Sequence, residues 1–423
     1  MKLHWQIFIA LLLAVMVGSA VGESGSLFGI RFVTLFEFVG ALFLNALKML
    51  IVPLIVSSII TGIAGVGQSR DFGRLGGKTL LYYFSTSLIA ILIGLSLVNL
   101  IEPGIVDGEP AREHIGLSAD GESVAAQIEG RGAGDVVDVF LRMIPPNIVA
   151  AAAEGQMLGL IFFSLLFGYF MTRIGEPYAD YVHGFWRGVF ETMLLITDWV
   201  MKFAPLGVFA LVAKVVATTG SAAFAPLLSF FLTVLLALAV HILLVMPLLL
   251  WSLGRVNPLH HYQAMAPALL TAFSTASSSA TLPVTLDCME RRAGVSNRTS
   301  SFVLPLGATV NMDGTALYEC VAVIFIAQAY GVDLSFTQQF MVVVIALLTS
   351  IGVAGIPAAS LVAITVILSA VGLPIEAVGL ILAVDRVLDM CRTAVNVFSD
   401  TCGGIVIARS EGERPLQRAA PLG

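Results

Sequence analysis

Apolar segments separated by short polar connections fill most of the chain and predict membrane-spanning helices. We place these helices at about 5–22, 34–64, 76–101, 137–172, 185–217 and 223–253. The segments at 34–64, 137–172 and 185–217 exceed the roughly 20 residues that a bilayer requires, so they are expected to tilt, kink or break. Proline is the expected cause of a break, and the candidates are Pro53, Pro145, Pro146 and Pro205.

Two later apolar segments are interrupted in the middle by small residues and a proline. His260–Glu290 is split by FSTASSSATLPV (273–284), and Ser335–Gly372 is split by SIGVAGIPAAS (350–360). Each half is too short to span, so each segment is predicted to form a hairpin that enters and leaves on one side. Basic residues flank only the first hairpin, which places the two at opposite faces. This arrangement is typical of an inverted repeat with a site near the bilayer midplane, whereas two ordinary spanning helices would break the charge asymmetry.

Composition narrows the class of protein. Hydrophobic residues make up 58% of the 423 positions and charged residues 12%, with a mean hydropathy of +0.95. No soluble protein of this length has such a composition, so we interpret the chain as a polytopic membrane protein. The four cysteines form no CxxC pair and have no histidine at metal-ligand spacing, so they are interpreted as reduced and structural.

The charges of the connections predict the orientation, whereas the net charge of −6 does not. Connections 65–78 and 173–187 are basic, and 102–136 is acidic. The positive-inside rule makes the basic connections and both termini cytoplasmic, and 102–136 a flexible external loop. Short loops indicate a bacterial inner membrane. A signal peptide cleaved after Ala20 is the alternative to a first spanning helix, which we prefer because Trp5 suits a membrane interface.

A polar stripe follows the last apolar segment, AVDRVLDMCRTAVNVFSD (383–400). Its members, spaced by threes and fours on one helix face, are Asp385, Asp389, Arg392, Thr393, Asn396 and Asp400. An ionised side chain at membrane depth costs at least ~2.5–3.5 kcal/mol unless it meets a partner, an ion or water. A salt bridge between Arg392 and Asp389 explains only that pair. The stripe therefore predicts a binding site.

A second polar group interrupts the apolar segment near 299–330. It is NMDGT (Asn311–Thr315), whose consecutive polar residues cannot share one face of a regular helix, and Gly314 is expected to loosen the backbone. The chain is predicted to unwind here and leave carbonyl groups free, which suits a hard cation such as sodium. Tyr83, Thr86 and Ser87 add hydroxyls on the third helix, although such hydroxyls often bond to their own helix.

Four segments resemble the signatures of the dicarboxylate/amino acid:cation symporters, a family that includes archaeal aspartate transporters, excitatory amino acid transporters and bacterial glutamate and C4-dicarboxylate carriers. They are TASSSATLPVT, GATVNMDGTALYE, SIGVAGIPA and VDRVLDMCRTAVNVFSD. The N-terminal half follows in segment order and in YYFSTS. The resemblance implies an all-α membrane protein with eight transmembrane helices and two re-entrant hairpins, which forms a homotrimer and works as an elevator.

The resemblance also implies a division into a scaffold and a mobile transport domain. The scaffold comprises 1–75 (helices 1 and 2) and 137–217 (helices 4 and 5). The transport domain comprises 76–101 (helix 3) and 218–411, which holds helix 6, hairpin 1 (about 259–291), helix 7 (about 299–330), hairpin 2 (about 335–372) and helix 8 (about 375–410). An external loop at 102–136 and a disordered cytoplasmic tail at 412–423 complete the chain.

Site residues follow from the same resemblance. The implied substrate contacts are Ser277, Ser278, Thr315, Gly355, Ile356, Pro357, Ala358, Ser360, Asp389, Arg392, Thr393 and Asn396. One implied sodium site consists of Gly307, Asn311, Asn396 and Asp400. A second uses Thr309, Met312 and the carbonyl groups of Ser350, Ile351 and Val353. A third uses Tyr83, Thr86, Ser87, Asn311 and Asp313.

Residue chemistry and the resemblance together favour an acidic amino acid as the substrate. The guanidinium of Arg392 suits a side-chain carboxylate and Asp389 suits an ammonium group, which family carriers of C4-dicarboxylates lack the means to bind. The family's neutral amino acid exchangers lack this arginine. Sodium is favoured over protons as the coupling ion because proton-coupled members tend to carry Asn at Asp400 and Leu at Met312. No organic cofactor and no nucleic-acid partner are expected.

The chain departs from some relatives at Ala276, Arg386, Cys391 and Ser360. Archaeal members carry an arginine at the position of Ala276, and Arg386 is expected to supply that charge instead. Two other classes of protein fit less well. An intramembrane protease requires a GxGD-type motif or a Ser–His pair, and a pure ion channel has no use for an ammonium-binding Asp beside an anion-binding Arg.

Overall fold

The computed structural model describes residues 3–27, 29–67, 72–113, 144–154, 157–219, 224–350 and 359–416, which are mostly helical. Helices of the first half are α1 (Leu3–Val21), α2 (Phe32–Gly67), α3 (Phe72–Ile101), α4 (Ile148–Ala153), α5 (Met157–Met171), α6 (Tyr178–Met201) and α7 (Ala204–Thr219). Those of the second half are α8 (Phe224–Val240), α9 (Met246–Leu249), α10 (Pro258–Thr275), α11 (Ser278–Asp287), α12 (Asn297–Val310), α13 (Asp313–Tyr330), α14 (Phe336–Ser350), α15 (Ala359–Val371) and α16 (Val378–Ser410).

Short elements complete the described fold. Two antiparallel pairs are formed by β1 (Ser26–Leu27) with β2 (Ile30–Arg31), and by β3 (Ile105–Val106) with β4 (Glu109–Pro110). Turns of 3₁₀ helix occupy Ala111–Glu113 and Ile375–Ala377, and π-helical segments occupy His241–Val245, Leu250–Gly254 and Cys288–Arg292. The π segments make α8 and α9 part of one helical run, Ala225–Gly254.

Three described helical runs are long and apolar enough to cross a membrane: Arg74–Ile101, Ala225–Gly254 and Asn297–Tyr330. Shorter apolar helices lie at Leu12–Val21, Phe32–Phe43, Phe162–Met171, Pro205–Thr218 and Phe336–Ser350. The helices therefore differ widely in how much of a bilayer each is able to cross by itself.

The long apolar segments of the first half behave differently from one another. The segment predicted at 185–217 divides into α6 and α7 just before Pro205, as expected. Helix α2 is a single helix of 36 residues that contains Pro53, so the break expected at this proline is absent. A single proline removes one backbone hydrogen bond, and the hydroxyl of Ser57 bonds to the Pro53 carbonyl at 2.6 Å. Residues 137–143 of the predicted fourth helix lie outside the described residues, and α4 and α5 represent its remainder.

Both interrupted segments contain two helices that pack against each other, α10 with α11 and α14 with α15. In the first, α10 ends at Ala276, which has φ +50°, and Ser277 caps α11 by accepting a hydrogen bond from Ala280 N at 3.2 Å. A left-handed residue followed by an N-cap reverses the chain within two positions. In the second, residues 351–358 between the helices lie outside the described residues.

The unwound stretch in NMDGT is shorter than predicted. Only Asn311 and Met312 leave the helical conformation, and α13 begins at Asp313. Gly314 therefore lies within the first turn of a helix. Its role is close approach: a Cβ at this position would meet the carbonyl oxygen of Arg392 at 2.6 Å. The small residue brings the N-terminus of α13 against α16.

The described part of the tail is attached to the protein, which corrects the expectation of a disordered end for those residues. Glu413 accepts hydrogen bonds from Ser296 N at 2.8 Å and Ser296 Oγ at 2.7 Å, so it caps α12. Leu416 N donates to the Ala293 carbonyl at 2.8 Å.

The loop expected at 102–136 begins with an ordered element, the pair β3–β4, which contacts α13. Its residues beyond 113 lie outside the described ones.

Two groups of helices are recognisable from their packing. In the first group, α1 packs against α7, and α2 packs against α5, α6 and α7. In the second group, α16 packs against α10, α12 and α13, and α13 also packs against α3. Helix α13 is the centre of the second group, since all but one of its residues are buried. The polar stripe of α16 faces this centre.

Candidate substrate and cation site

Arg392 lies fully buried at the middle of α16 among carboxylates from its own helix. Its Nη2 atom is 2.9 Å from Asp389 Oδ1 and 3.0 Å from Asp385 Oδ1. These spacings of three and seven residues place all three side chains on one face. The salt bridge with Asp389 considered from the sequence therefore exists, and it is extended by Asp385.

A second guanidinium and an aromatic ring complete this cluster. Arg386 Nη1 is 3.3 Å from Asp389 Oδ2, so Asp389 contacts both arginines of the helix. The ring of Tyr318 on α13 lies 4.0 Å from the guanidinium carbon of Arg392, in cation–π geometry. Two arginines and two aspartates balance to zero net charge, which reduces the cost of burying four ions. Arg392 Nη1 nevertheless has no hydrogen-bond partner among the described residues.

Asn396, one turn further along α16, joins the stripe to the start of α13. Its Oδ1 atom accepts hydrogen bonds from Gly314 N at 2.8 Å and Thr315 N at 3.3 Å. Its Nδ2 atom donates to Thr315 Oγ1 at 3.0 Å. Thr393 is also buried on this face. The sequence stripe thus meets the helix N-terminus created by the unwound NMDGT segment, a position that favours anionic groups.

Asp400 and Asn311 form the next layer. Asn311 Nδ2 donates to Asp400 Oδ1 at 2.9 Å, and both residues are buried. Gly307 lines the same place, since a Cβ on it would lie 2.5 Å from Asp400 Oδ1 and 2.7 Å from the Tyr83 hydroxyl. Tyr83 donates to the Val303 carbonyl at 2.8 Å. Carboxylate, amide and hydroxyl oxygens around a glycine are the donors that a hard cation requires.

Asp313 has four polar contacts in the site. Its Oδ1 atom accepts hydrogen bonds from Ser87 at 2.7 Å and Thr86 at 3.3 Å. Its Oδ2 atom accepts one from Ser399 at 2.6 Å and contacts His241 Nε2 at 3.0 Å. Thr86 Oγ1 is also 3.4 Å from Asn311 Oδ1, so the residues predicted for the third cation site, on α3 and at the helix break, lie together.

The other predicted site residues lie near the two hairpins. Ser277 and Ser278 are buried at the turn of the first hairpin, and Ser360 is buried at the start of α15. Ser350 ends α14, and its hydroxyl bonds to the Leu347 carbonyl. Thr309 bonds to its own helix, with Oγ1 3.0 Å from the Leu306 carbonyl, and Met312 is buried. Predicted residues outside the described ones are Ile351, Val353, Gly355, Ile356, Pro357 and Ala358.

Three residues that the structure brings to the site are absent from the sequence prediction. His241 and Ser399 hold Asp313, and Glu319 on α13 accepts a hydrogen bond from Thr349 at 2.9 Å. A histidine within the most apolar helix was a visible signal for His241. Ser399 lies three residues after Asn396 and so continues the stripe. Glu319 lies one residue after Tyr318 and four after Thr315, but the apolar residues that follow it in the sequence gave no periodic pattern that would assign it to the site.

The described residues contain no group of three or more His, Cys, Asp or Glu side chains able to hold a metal ion. The residues around Gly307 and Asp313 offer instead hydroxyl and amide oxygens together with carboxylates. This donor set suits a monovalent ion better than a transition metal. All four cysteines are free thiols.

A helical membrane protein that buries arginines, aspartates and an interrupted helix at one place has the features of a secondary transporter. Comparison with known proteins identifies the family. The chain belongs to the sodium:dicarboxylate symporter family, whose sequence profile matches residues 3–410. The resemblance inferred from the four motifs is confirmed, and the chain is a transporter of this family and not an enzyme.

Named relatives cover nearly the whole chain. The proton/sodium-glutamate symport protein of Geobacillus stearothermophilus is 36% identical over 97% of this chain and 95% of its own length. The proton/glutamate-aspartate symporter of Escherichia coli (strain K12) is 36% identical over 99% and 95%. Excitatory amino acid transporter 3 of Homo sapiens is 37% identical over 89% and 80%.

Proposed function

We propose that this protein is a sodium-coupled symporter of acidic amino acids, L-aspartate or L-glutamate. The observation that carries the proposal is the buried Arg392 beside Asp389, an anion-binding and an ammonium-binding group one helical turn apart. The two bacterial relatives named above are symporters of glutamate or of glutamate and aspartate according to their names, which supports the same substrate class. Plain dicarboxylates and neutral amino acids are the alternatives within the family.

Substrate binding is proposed to be an exchange of ion pairs. Arg392 is engaged by Asp385 and Asp389, and the two N–H donors of its Nη1 atom have no partner among the described residues. A substrate side-chain carboxylate would bind this guanidinium bidentately. The substrate ammonium would take the place of the Arg386 guanidinium at Asp389. Each of these substrate charges would then face an opposite charge of the protein, which limits the desolvation cost.

The rest of the substrate would be bound by the predicted polar groups around this pair. They are Ser277, Ser278, Thr315, Ser360, Thr393 and Asn396, together with Gly355, Ile356, Pro357 and Ala358 at the second hairpin. The α-carboxylate would lie near the N-terminus of α13 and bind the Asn396 amide and the Ser278 hydroxyl, both of which belong to buried residues. The second hairpin is proposed as the external gate.

Sodium is the proposed coupling ion, and the oxygen layer around Gly307 supports it. Asp400, Asn311 and Asn396 would bind one ion beside the glycine. Tyr83, Thr86, Ser87 and Asp313 would bind another with Asn311, and Thr309, Met312, Ser350, Ile351 and Val353 a third. A buried carboxylate offsets the dehydration of Na⁺, which an amide does not.

Proton coupling is the second candidate, favoured by one observation: Glu319 is a fully buried acid whose Oε1 atom has no hydrogen-bond partner among the described residues.

The larger assembly is also part of the proposal. The two packing groups of helices support a division into a scaffold (1–75 and 137–217) and a moving transport domain (76–101 and 218–411). We propose a homotrimer with cytoplasmic termini in a bacterial inner membrane, eight spanning helices and two re-entrant hairpins, and transport by an elevator movement.

The test is uptake of radiolabelled L-aspartate into proteoliposomes under an inward sodium gradient or an inward proton gradient, at equal membrane potential. Glutamate, succinate and serine serve as unlabelled competitors. Sodium-driven uptake that glutamate inhibits and succinate does not is the expected result. Uptake driven by protons alone would overturn the sodium assignment, and Glu319→Gln would then be expected to abolish it. Serine or succinate transport without aspartate transport would overturn the substrate assignment.

Asp400→Asn is the matched variant for the ion. It keeps the size of the side chain and removes the charge, so the sodium concentration for half-maximal uptake should rise at least tenfold, or about 1.4 kcal/mol. An unchanged sodium titration would contradict the placement of an ion at Asp400.

A further inference from the structure

The two carboxylate oxygens of Asp313 have different partners. Oδ1 faces Ser87 and Thr86 on α3, the side of the proposed cation site. Oδ2 is directed instead at Ser399 at 2.6 Å and at His241 at 3.0 Å. Since a carboxylate rotates about its last bond, donors that occupy one oxygen fix the direction of the other.

His241 reaches Asp313 from a different helical run. The residue is fully buried, and it begins the π-helical segment His241–Val245, at the end of α8. A π-helical turn inserts an extra residue and redirects the side chains that follow the regular helix. Because the partner is a carboxylate, the ring donates through Nε2–H. Nδ1 has no hydrogen-bond partner among the described residues, so the ring's described polar contact is with Asp313.

We propose that His241 is a positioning residue for sodium binding: with Ser399 it occupies Oδ2 of Asp313 and so keeps Oδ1 directed at the cation site on α3. The proposal rests on the sodium-coupled function proposed above. A hydrogen bond that only joined two helices would not need to share one oxygen with a second donor while the other oxygen faces the ion. Preorganised ligands bind more tightly because less rotational freedom is lost on binding.

The experiment compares three purified variants with the wild type. His241→Leu removes the donor, and His241→Gln supplies an amide donor at a similar distance. His261→Leu is the matched control, because His261 is also fully buried, with Nε2 3.0 Å from Thr401 Oγ1 and no described partner for Nδ1. The readouts are the sodium-induced rise in melting temperature without substrate, the sodium midpoint of aspartate binding, and the aspartate Kd at saturating sodium.

For His241→Leu the expected result is a sodium midpoint raised at least tenfold, with the aspartate Kd at saturating sodium changed less than twofold. His241→Gln should return the midpoint to within about threefold of wild type. His261→Leu should lower the melting temperature and leave the sodium midpoint unchanged. If His241→Leu does not fold, Ser399→Ala should raise the midpoint in the same direction, because it removes the other Oδ2 donor together with the hydroxyl that Asn311 Nδ2 contacts at 3.1 Å.

Two failures are distinguishable. A wild-type protein without any sodium-induced stabilisation would overturn the proposed sodium site and this inference with it. A wild type that responds to sodium, together with a His241→Leu variant of unchanged midpoint, would overturn the positioning role alone. Equal shifts of the midpoint in His241→Leu and His261→Leu would also overturn it, because the effect would then be one of general packing.

Discussion

The helical runs Asn297–Tyr330 and Ala225–Gly254 are both long enough to cross a bilayer, yet they are buried in opposite ways. The first contains the NMDGT break, and every residue of its most apolar 18-residue stretch is buried within the protein. The second is richer in leucine, and only 33% of the corresponding stretch is buried. In a membrane the apolar surface is able to face lipid, so the protein interior is available for polar groups that require partners.

The comparison shows where this fold is able to bury polar and charged side chains. Ion pairs, amides and hydroxyls are concentrated where α3, α13 and α16 meet, whereas large apolar side chains lie on the outward faces of the helices, including the outward face of α3. A buried leucine and a lipid-facing leucine contribute differently to stability even on one helix. Substitutions in the two regions should therefore separate loss of binding from loss of packing.

The largest effect is expected at the most buried charge. Arg392→Cys removes the proposed partner of the substrate side-chain carboxylate, and truncating one partner of a buried charge pair costs about 2–5 kcal/mol of binding free energy, so affinity for L-aspartate should fall roughly a hundredfold. Arg392→Lys keeps the charge but loses the bidentate fork, and it should retain part of the binding. Isothermal titration of both variants with aspartate and serine measures this. Wild-type aspartate affinity in Arg392→Cys would show that another group binds the side-chain carboxylate.

The apolar helix offers a test of packing within α8. Phe230 is fully buried and stacks on Phe325 with ring centroids 4.6 Å apart, whereas Leu232 is 54% exposed. Phe230→Ala should cost about 3–5 kcal/mol of stability, and Leu232→Ala much less, because its side chain faces lipid and leaves no cavity. Melting temperatures in a mild detergent are the measurement. Equal losses in the two variants would mean that the outer face of α8 is covered by protein.

A smaller change should act on ion binding alone. Gly307→Ala places a methyl group 2.5 Å from Asp400 Oδ1, so it competes directly with an ion beside this carboxylate. The sodium midpoint of aspartate binding should rise about tenfold to a hundredfold, or about 1.4–2.8 kcal/mol. Gly77→Ala is the control, since a Cβ there meets nothing within 4 Å. A sodium midpoint that does not respond to Gly307→Ala would place the ion elsewhere.

The smallest effect is expected outside the membrane, at the end of α16. Hydrogen bonds from Lys78 at 2.7 Å and from Arg74 hold the pKa of Glu411 below its usual range. A lowered pKa in the folded state stabilises the protein above the unfolded pKa, and this contribution is lost as the pH falls through the folded value. Because such surface pairs contribute about 0–1 kcal/mol, Glu411→Gln should lower the melting temperature slightly at neutral pH and not at strongly acidic pH. A deficit that persists at acidic pH would contradict the role of these ion pairs.

Local pattern was sufficient for the features that depend on residues close together in sequence. The three-residue spacing of Asp389 and Arg392 places them in contact on any regular helix, and the small residues around Ala276 and Ser277 predicted the turn of the first hairpin. The interruption at Asn311 followed from consecutive polar residues. Its length did not, because Asn396 on α16 satisfies the backbone amides of Gly314 and Thr315 and allows α13 to begin early.

Only the tertiary structure decided which distant groups meet. His241 contacts Asp313 from 72 positions away, Glu411 contacts Lys78 from 333, and the Tyr318 ring covers Arg392 from another helix. Periodicity assigns a side chain to a face of its own helix, but the helix that this face meets depends on packing of the whole chain. The sequence by itself therefore determined the apolar, helical character of the chain, the polar stripe and the family. The structure determined that both oxygens of Asp313 are occupied and that the Tyr318 ring covers Arg392, since these contacts exist only where separate helices are brought together.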